Sequence, residues 1–106
     1  MSELADIAAD SVPRLARGVR LRFDAVRQAW VMLAPERVLF PDEIALEVLR
    51  RCDGAACVQE IAGELAAAFE AEPDEVRGDV IELLEELCDG GFVRAASASA
   101  RAASRR

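Results

Sequence analysis

The chain has 106 residues, 53% of them hydrophobic, and a formal net charge of −7. That length holds one domain with a modest core, and the acidic balance disfavours nucleic acid and anionic membrane unless the charge is unevenly placed. No histidine is present, which removes the usual general base and the commonest metal ligand.

The first ten residues, MSELADIAAD, carry acids where a secretory signal needs basic residues. No run approaches the roughly 20 apolar residues that cross a bilayer. Residues 1–13 read as a flexible N-terminal arm ending at Val12-Pro13, and the Ala/Ser/Arg-rich stretch 94–106 as a disordered tail. The folded unit is expected at 14–93.

Within it, Val19, Leu21 and Phe23 alternate with Arg20 and Arg22, the period of a strand with one wet face. Ala29 to Leu33 is apolar on both faces, as a central strand is. Pro35 and Glu36 turn the chain, and Arg37 to Phe40 makes a third short strand before Pro41. The period then becomes helical. Ile44, Ala45, Val48, Leu49 and Cys52 form one stripe, stopped at Gly54. Val58, Ile61, Leu65 and Phe69 form a second. Pro73 opens a third helix, with Val76, Val80, Leu83, Leu84 and Leu87 on its apolar face, and Gly90-Gly91 ends it. Phe92 and Val93 can then fold back on the core. Strands are expected at 19–24, 29–34 and 37–40, and helices at 42–53, 57–70 and 73–89. This is an α+β, winged-helix-like fold: a three-stranded antiparallel sheet followed by a three-helix bundle.

Chemistry is sparse. Cys52 and Cys57 are spaced C-x4-C with Cys88 far off, which suits neither a zinc site nor a disulfide framework. Three free thiols fit a reducing cytoplasm. Cys52 and Cys88 lie on apolar helix faces as small buried groups, while Cys57 stands near a helix start. No phosphate-binding loop is present. Glu82, Glu85, Glu86 and Asp89 read as a solvated face. No catalytic or metal-ligating residue and no cofactor is expected, so the chain reads as a binding protein and not as an enzyme.

Charge is unevenly placed. Residues 14–37 hold six arginines against two acids, a local +4, and residues 72–89 hold one arginine against eight acids, a local −7. A winged-helix regulator would lay its last helix in the DNA major groove, and an acidic third helix has the wrong sign for that. A three-stranded sheet also has open edges, which can receive an extended peptide, be covered by a helix, or pair with a second copy. Monomer and homodimer both stay open.

The segment V-R-L-R-F-D-x-x-R-x-x-W-V-M-L-A-P-E-R-V-L (19–39), with E-I-A-L-E-V-L-R-R-C-D-G (43–54), E-I-A-G-E-L (60–65) and D-V-I-E-L-L-E-E-L (79–87), resembles the PqqD family of pyrroloquinoline quinone (PQQ) biosynthesis. The resemblance covers about 14–93. It implies a peptide chaperone that binds a ribosomally made precursor (PqqA-like) and presents it to a radical SAM enzyme (PqqE-like). A related domain serving a different modified peptide is the alternative. In the family the precursor adds as a strand beside the third strand, in a groove walled by the third helix. By position this implies Arg37, Val38, Leu39 and Phe40 on the strand, and Val76, Arg77, Asp79, Val80, Leu83 and Leu84 on the helix. Which strand face meets the peptide is open. Two departures stand out. Ala56-Cys57 replaces the hydroxyl residue common before the second helix, and neither is expected to cap well. Gly78 interrupts the third helix, where it could admit close backbone approach.

Overall fold

The computed structural model describes residues 7–96. Strands β2 (Arg20–Asp24), β3 (Ala29–Ala34) and β4 (Arg37–Leu39) form an antiparallel sheet in the order β2-β3-β4. Helices α1 (Glu43–Arg50), α2 (Val58–Phe69) and α3 (Pro73–Asp89) follow. The expected α+β architecture is present, with β3 in the centre.

Register explains the sheet's two faces. Leu21 pairs with Met32, and Met32 with Leu39. Side chains alternate across a strand, so these three share a face with Phe23, Trp30 and Ala34. That face meets the helices: Met32 is fully buried, and Leu21, Ala34 and Leu39 pack on the core. Val48, Val58, Ile61 and Leu84 complete the core's buried centre. The other face carries Arg20, Arg22, Val31, Leu33 and Val38.

Helix ends follow local chemistry. The Asp42 carboxylate accepts the Ala45 N–H at 2.8 Å and caps α1. The helix stops at Arg50, short of the expected 53. The N–H groups of Arg51 and Cys52 turn to Val48 and Leu49 three residues back, and Asp53 leaves to bridge Arg14. Gly54 adopts φ +82°, and its N–H donates to the Pro13 carbonyl at 3.0 Å. Asp53 Oδ1 accepts the N–H of Ala55 at 2.9 Å, and this bond leads in holding its carboxyl below the ordinary range. At α2, Cys57 does stand at the N-cap, in a capping box with Glu60, whose carboxylate accepts the Cys57 N–H at 2.8 Å. A thiol thus takes the expected hydroxyl's place.

Two strands were not anticipated. β1 (Val12–Leu15) pairs antiparallel with β5 (Val93–Ala96), as a separate two-stranded sheet. These strands cross the boundaries expected at 13/14 and 93/94. The arm is part of the fold from Ile7, which joins the core, and Ser11, Val12 and Pro13 are buried. The carbonyls of Ser11 and Ala9 accept the N–H groups of Val58 and Gln59 at 2.8 and 2.9 Å. They satisfy donors that the first turn of a helix leaves unpaired. Residues 94–96 lie in β5, and the rest of the expected tail, 97–106, lies outside the described residues.

Candidate functional site

β4 is an edge of its sheet, and its backbone alternates between groups turned to β3 and groups turned outward. Leu39 packs on the core, whereas Val38 and Phe40 are 54% and 53% exposed. Leu39 thus points inward, to the core, and Val38 outward. The Arg27 guanidinium stacks 5.2 Å over the Phe40 ring. Arg37 reaches the far end of α3, where its guanidinium donates to the Gly90 carbonyl and lies 5.0 Å over the Phe92 ring. Gly91, at φ +83°, makes the turn that brings Phe92 beneath it.

α3 turns its side chains by about 100° per residue. Val76, Asp79, Val80 and Leu83 therefore fall on one flank, and they line a cavity of about 320 Å³ with residues of α1 and α2. Leu84 is fully buried and belongs to the core. Arg77 lies on the opposite flank from Asp79, 3.3 Å from Asp74. The expected helix set thus divides into four residues at the cavity, one beneath it in the core and one away from it. Gly78 is exposed, and a Cβ added there would meet nothing within 4 Å, so no other part of the described chain packs closely against it.

Sequence reasoning missed the contribution of the first two helices. Ile44, Ala45 and Val48 of α1, Leu65 and Phe69 of α2 and the capping Asp42 line the same cavity. All five apolar residues have the spacing of a core stripe. Ile44 and Phe69, at the outer ends of their stripes, are exposed enough to form a mouth. Periodicity reports which residues face inward and not whether the interior is filled there.

Reactive chemistry is muted. The three cysteines are free. Burial pushes the Cys52 thiol up to about 12, with Asp53 and Cys88 adding to the effect. Burial, with help from Glu85, also raises Cys88. Neutral thiols are poor nucleophiles. Among the described residues, no group of three or more His, Cys, Asp or Glu is placed to hold a metal ion, and no helix is long and apolar enough to cross a membrane.

The fold and the site define a small winged-helix-like domain with an open strand edge and an apolar cavity among its three helices. The family model described as coenzyme PQQ synthesis protein D matches residues 29–93. The chain belongs to the PqqD family. A Rhodopseudomonas palustris (strain BisB5) protein named PqqA binding protein is 50% identical over 90 residues, 85% of this chain and 88% of the relative. A protein of that name from Xanthomonas oryzae pv. oryzae (strain PXO99A) is 49% identical over 84 residues, 79% and 91% of the two chains. Among solved structures, the chain is similar to the PqqD part of Methylobacterium extorquens PqqCD, described as a stand-alone recognition element for ribosomally synthesized, modified peptides. That match has a TM-score of 0.75 and 39% identity over 88% of this chain and 99% of the other. A crystal structure of PqqD from Xanthomonas campestris matches with a TM-score of 0.50 and 48% identity, covering 80% and 94%.

Proposed function

We propose that this protein is a non-catalytic peptide chaperone of PQQ biosynthesis, acting in the cytoplasm. It binds a PqqA-like precursor by strand addition at β4 and presents it to a radical SAM enzyme. The observation that carries this reading is the open edge of β4, a strand that ends three residues before Asp42, one of the residues lining the apolar cavity between α1, α2 and α3. Backbone hydrogen bonds along such an edge supply affinity, and pockets for alternate side chains supply selectivity. From Gly90 to Val76 the helix rises about 20 Å, which matches about six residues of extended chain. The relatives named for binding PqqA support the identity of the ligand. The acidic third helix disfavours the DNA-binding alternative.

Arg37, Val38, Leu39 and Phe40 form the strand side of the proposed site, and Val76, Asp79, Val80 and Leu83 the helix side. Arg37 and Arg27 put positive charge on the strand side, so the groove is polarised across its width. The test is an NMR titration of the labelled protein with the cognate precursor peptide. Saturable shifts concentrated on 37–40 and α3 are expected. Val38→Asp and Leu83→Asp should each keep the fold and weaken binding by about 10-fold or more, the effect of a charge set into an apolar contact. Undiminished affinity in both folded variants would remove the groove from the proposal.

A further inference from the structure

The groove differs at its two ends. At one, Arg37 reaches to the Gly90 carbonyl and the Phe92 ring and closes the gap. At the other, the first turns of α1, the end of α2 and the first half of α3 enclose the cavity of about 320 Å³. Among the described residues that line it, all are apolar except Asp42 and Asp79, and both of these are acids. Asp42 is held in place by its bond to the Ala45 N–H. Asp79 is exposed and has no ion pair among the described residues.

We propose that this cavity is an anchor subsite, which takes one bulky apolar side chain of an extended peptide. Asp42 and Asp79 hold a Lys or Arg of the same peptide within two positions of that anchor. The inference rests on the strand-addition reading and adds a selectivity rule to it. The size is at the lower end of small-ligand sites, which run from about 300 to 1,000 Å³. It suits a single large side chain. The half-exposed Ile44 and Phe69 at the mouth gain cover when such a group enters. Charge selects the neighbour. Two carboxylates line the cavity, and the arginine of α3, Arg77, pairs with Asp74 on the other flank and not with Asp79. A basic side chain lowers the cost of desolvating them, a neutral one leaves it in place, and an acidic one is repelled. Side chains of a strand alternate in direction, so a residue adjacent to the anchor, or one further on, can reach the rim.

A second copy of the chain is the competing occupant. Its β2–β3 hairpin tip presents Val26, 93% exposed, beside Arg27. The probe is the synthetic PqqA peptide of Rhodopseudomonas palustris, titrated calorimetrically into the full chain. Each bulky apolar residue of the peptide is replaced in turn by Ala, and each Lys or Arg by Gln. One apolar replacement should cost about 10-fold in affinity, and one basic replacement within two positions of it about 5-fold. The Asp42→Asn, Asp79→Asn double variant, in which Asn still caps α1, should show the same 5-fold loss on the parent peptide. It should show none on the Gln-substituted peptide. Ala71→Trp, which fills the cavity from an exposed loop position, should abolish the anchor's contribution while β4 remains open. Equal affinity of the double variant and the parent protein for the parent peptide overturns the proposal. So does undiminished binding by Ala71→Trp, or a concentration-dependent dimer that Val26→Ser dissolves. A parent protein that binds no PqqA peptide at all would instead sink the strand-addition reading beneath it.

Discussion

Arg37 joins two parts of the molecule that are distant in sequence, and it does so with two weak contacts and not one strong one. Its guanidinium donates to the carbonyl that ends α3 and stacks on Phe92. Arg37→Ala should lower stability by about 1 kcal/mol, read as a shifted urea midpoint with an unchanged slope. Trp30 illustrates a partial reading. A tryptophan on a central strand suggests core, yet it lies half-buried, edge-on to Phe23 at 5.6 Å and beneath the Arg50 guanidinium at 4.9 Å. Cys52 behaves as its stripe position suggests, with a thiol pushed up to about 12 by burial. Its folded value lies above the ordinary 9.0, so the folded state keeps the proton where the unfolded state loses it. The contribution of Cys52 to stability is therefore complete below about pH 9 and declines as pH rises from there towards 12. Alkylation with iodoacetamide at pH 8, followed by peptide mapping, should leave Cys52 unlabelled until urea unfolds the chain.

At the scale of elements, α3 carries a removable weakness and α2 an unexpected support. Gly78 lies inside α3 with open space around it, and its flank is not the groove flank. Gly78→Ala should raise stability by up to about 1 kcal/mol, seen as a higher Tm, and leave precursor affinity unchanged. The start of α2 depends on carbonyls from residues 9 and 11. A chain lacking residues 1–11 should therefore exchange its Val58 and Gln59 amide hydrogens faster than the full chain. Slow exchange at both in the shortened chain would mean that other groups cap the helix. The pairing of β1 with β5 was illegible for a physical reason. Val-Pro-Arg-Leu contains a residue without an N–H, Val-Arg-Ala-Ala has no alternation, and the register joins residues about eighty positions apart. Each strand is unconvincing alone, and they stabilise one another only when the domain closes.

Across the whole molecule, charge, edge and cavity have different origins. The +4 and −7 segments are properties of composition, and their opposition across one groove follows from where the fold sets β4 and α3. Salt should accordingly weaken precursor binding, through screening of the rim and strand charges. A titration repeated at low and high ionic strength checks this.

The amino-acid sequence by itself determined the periods of two and 3.6, the three sheet strands, the three helices and the family. These rest on local rules: side-chain alternation, the helical period, Pro73 opening the third helix and Gly90-Gly91 ending it. The tertiary structure decided which stripe residues border empty space. Ile44 and Phe69 have the pattern of core residues, yet both line the cavity and stay largely exposed. It also separated Leu84, in the core, from Leu83, at the cavity, although they are adjacent in one apolar stripe. A helix places neighbours about 100° apart, and only the packing of the other elements decides which of those directions is filled.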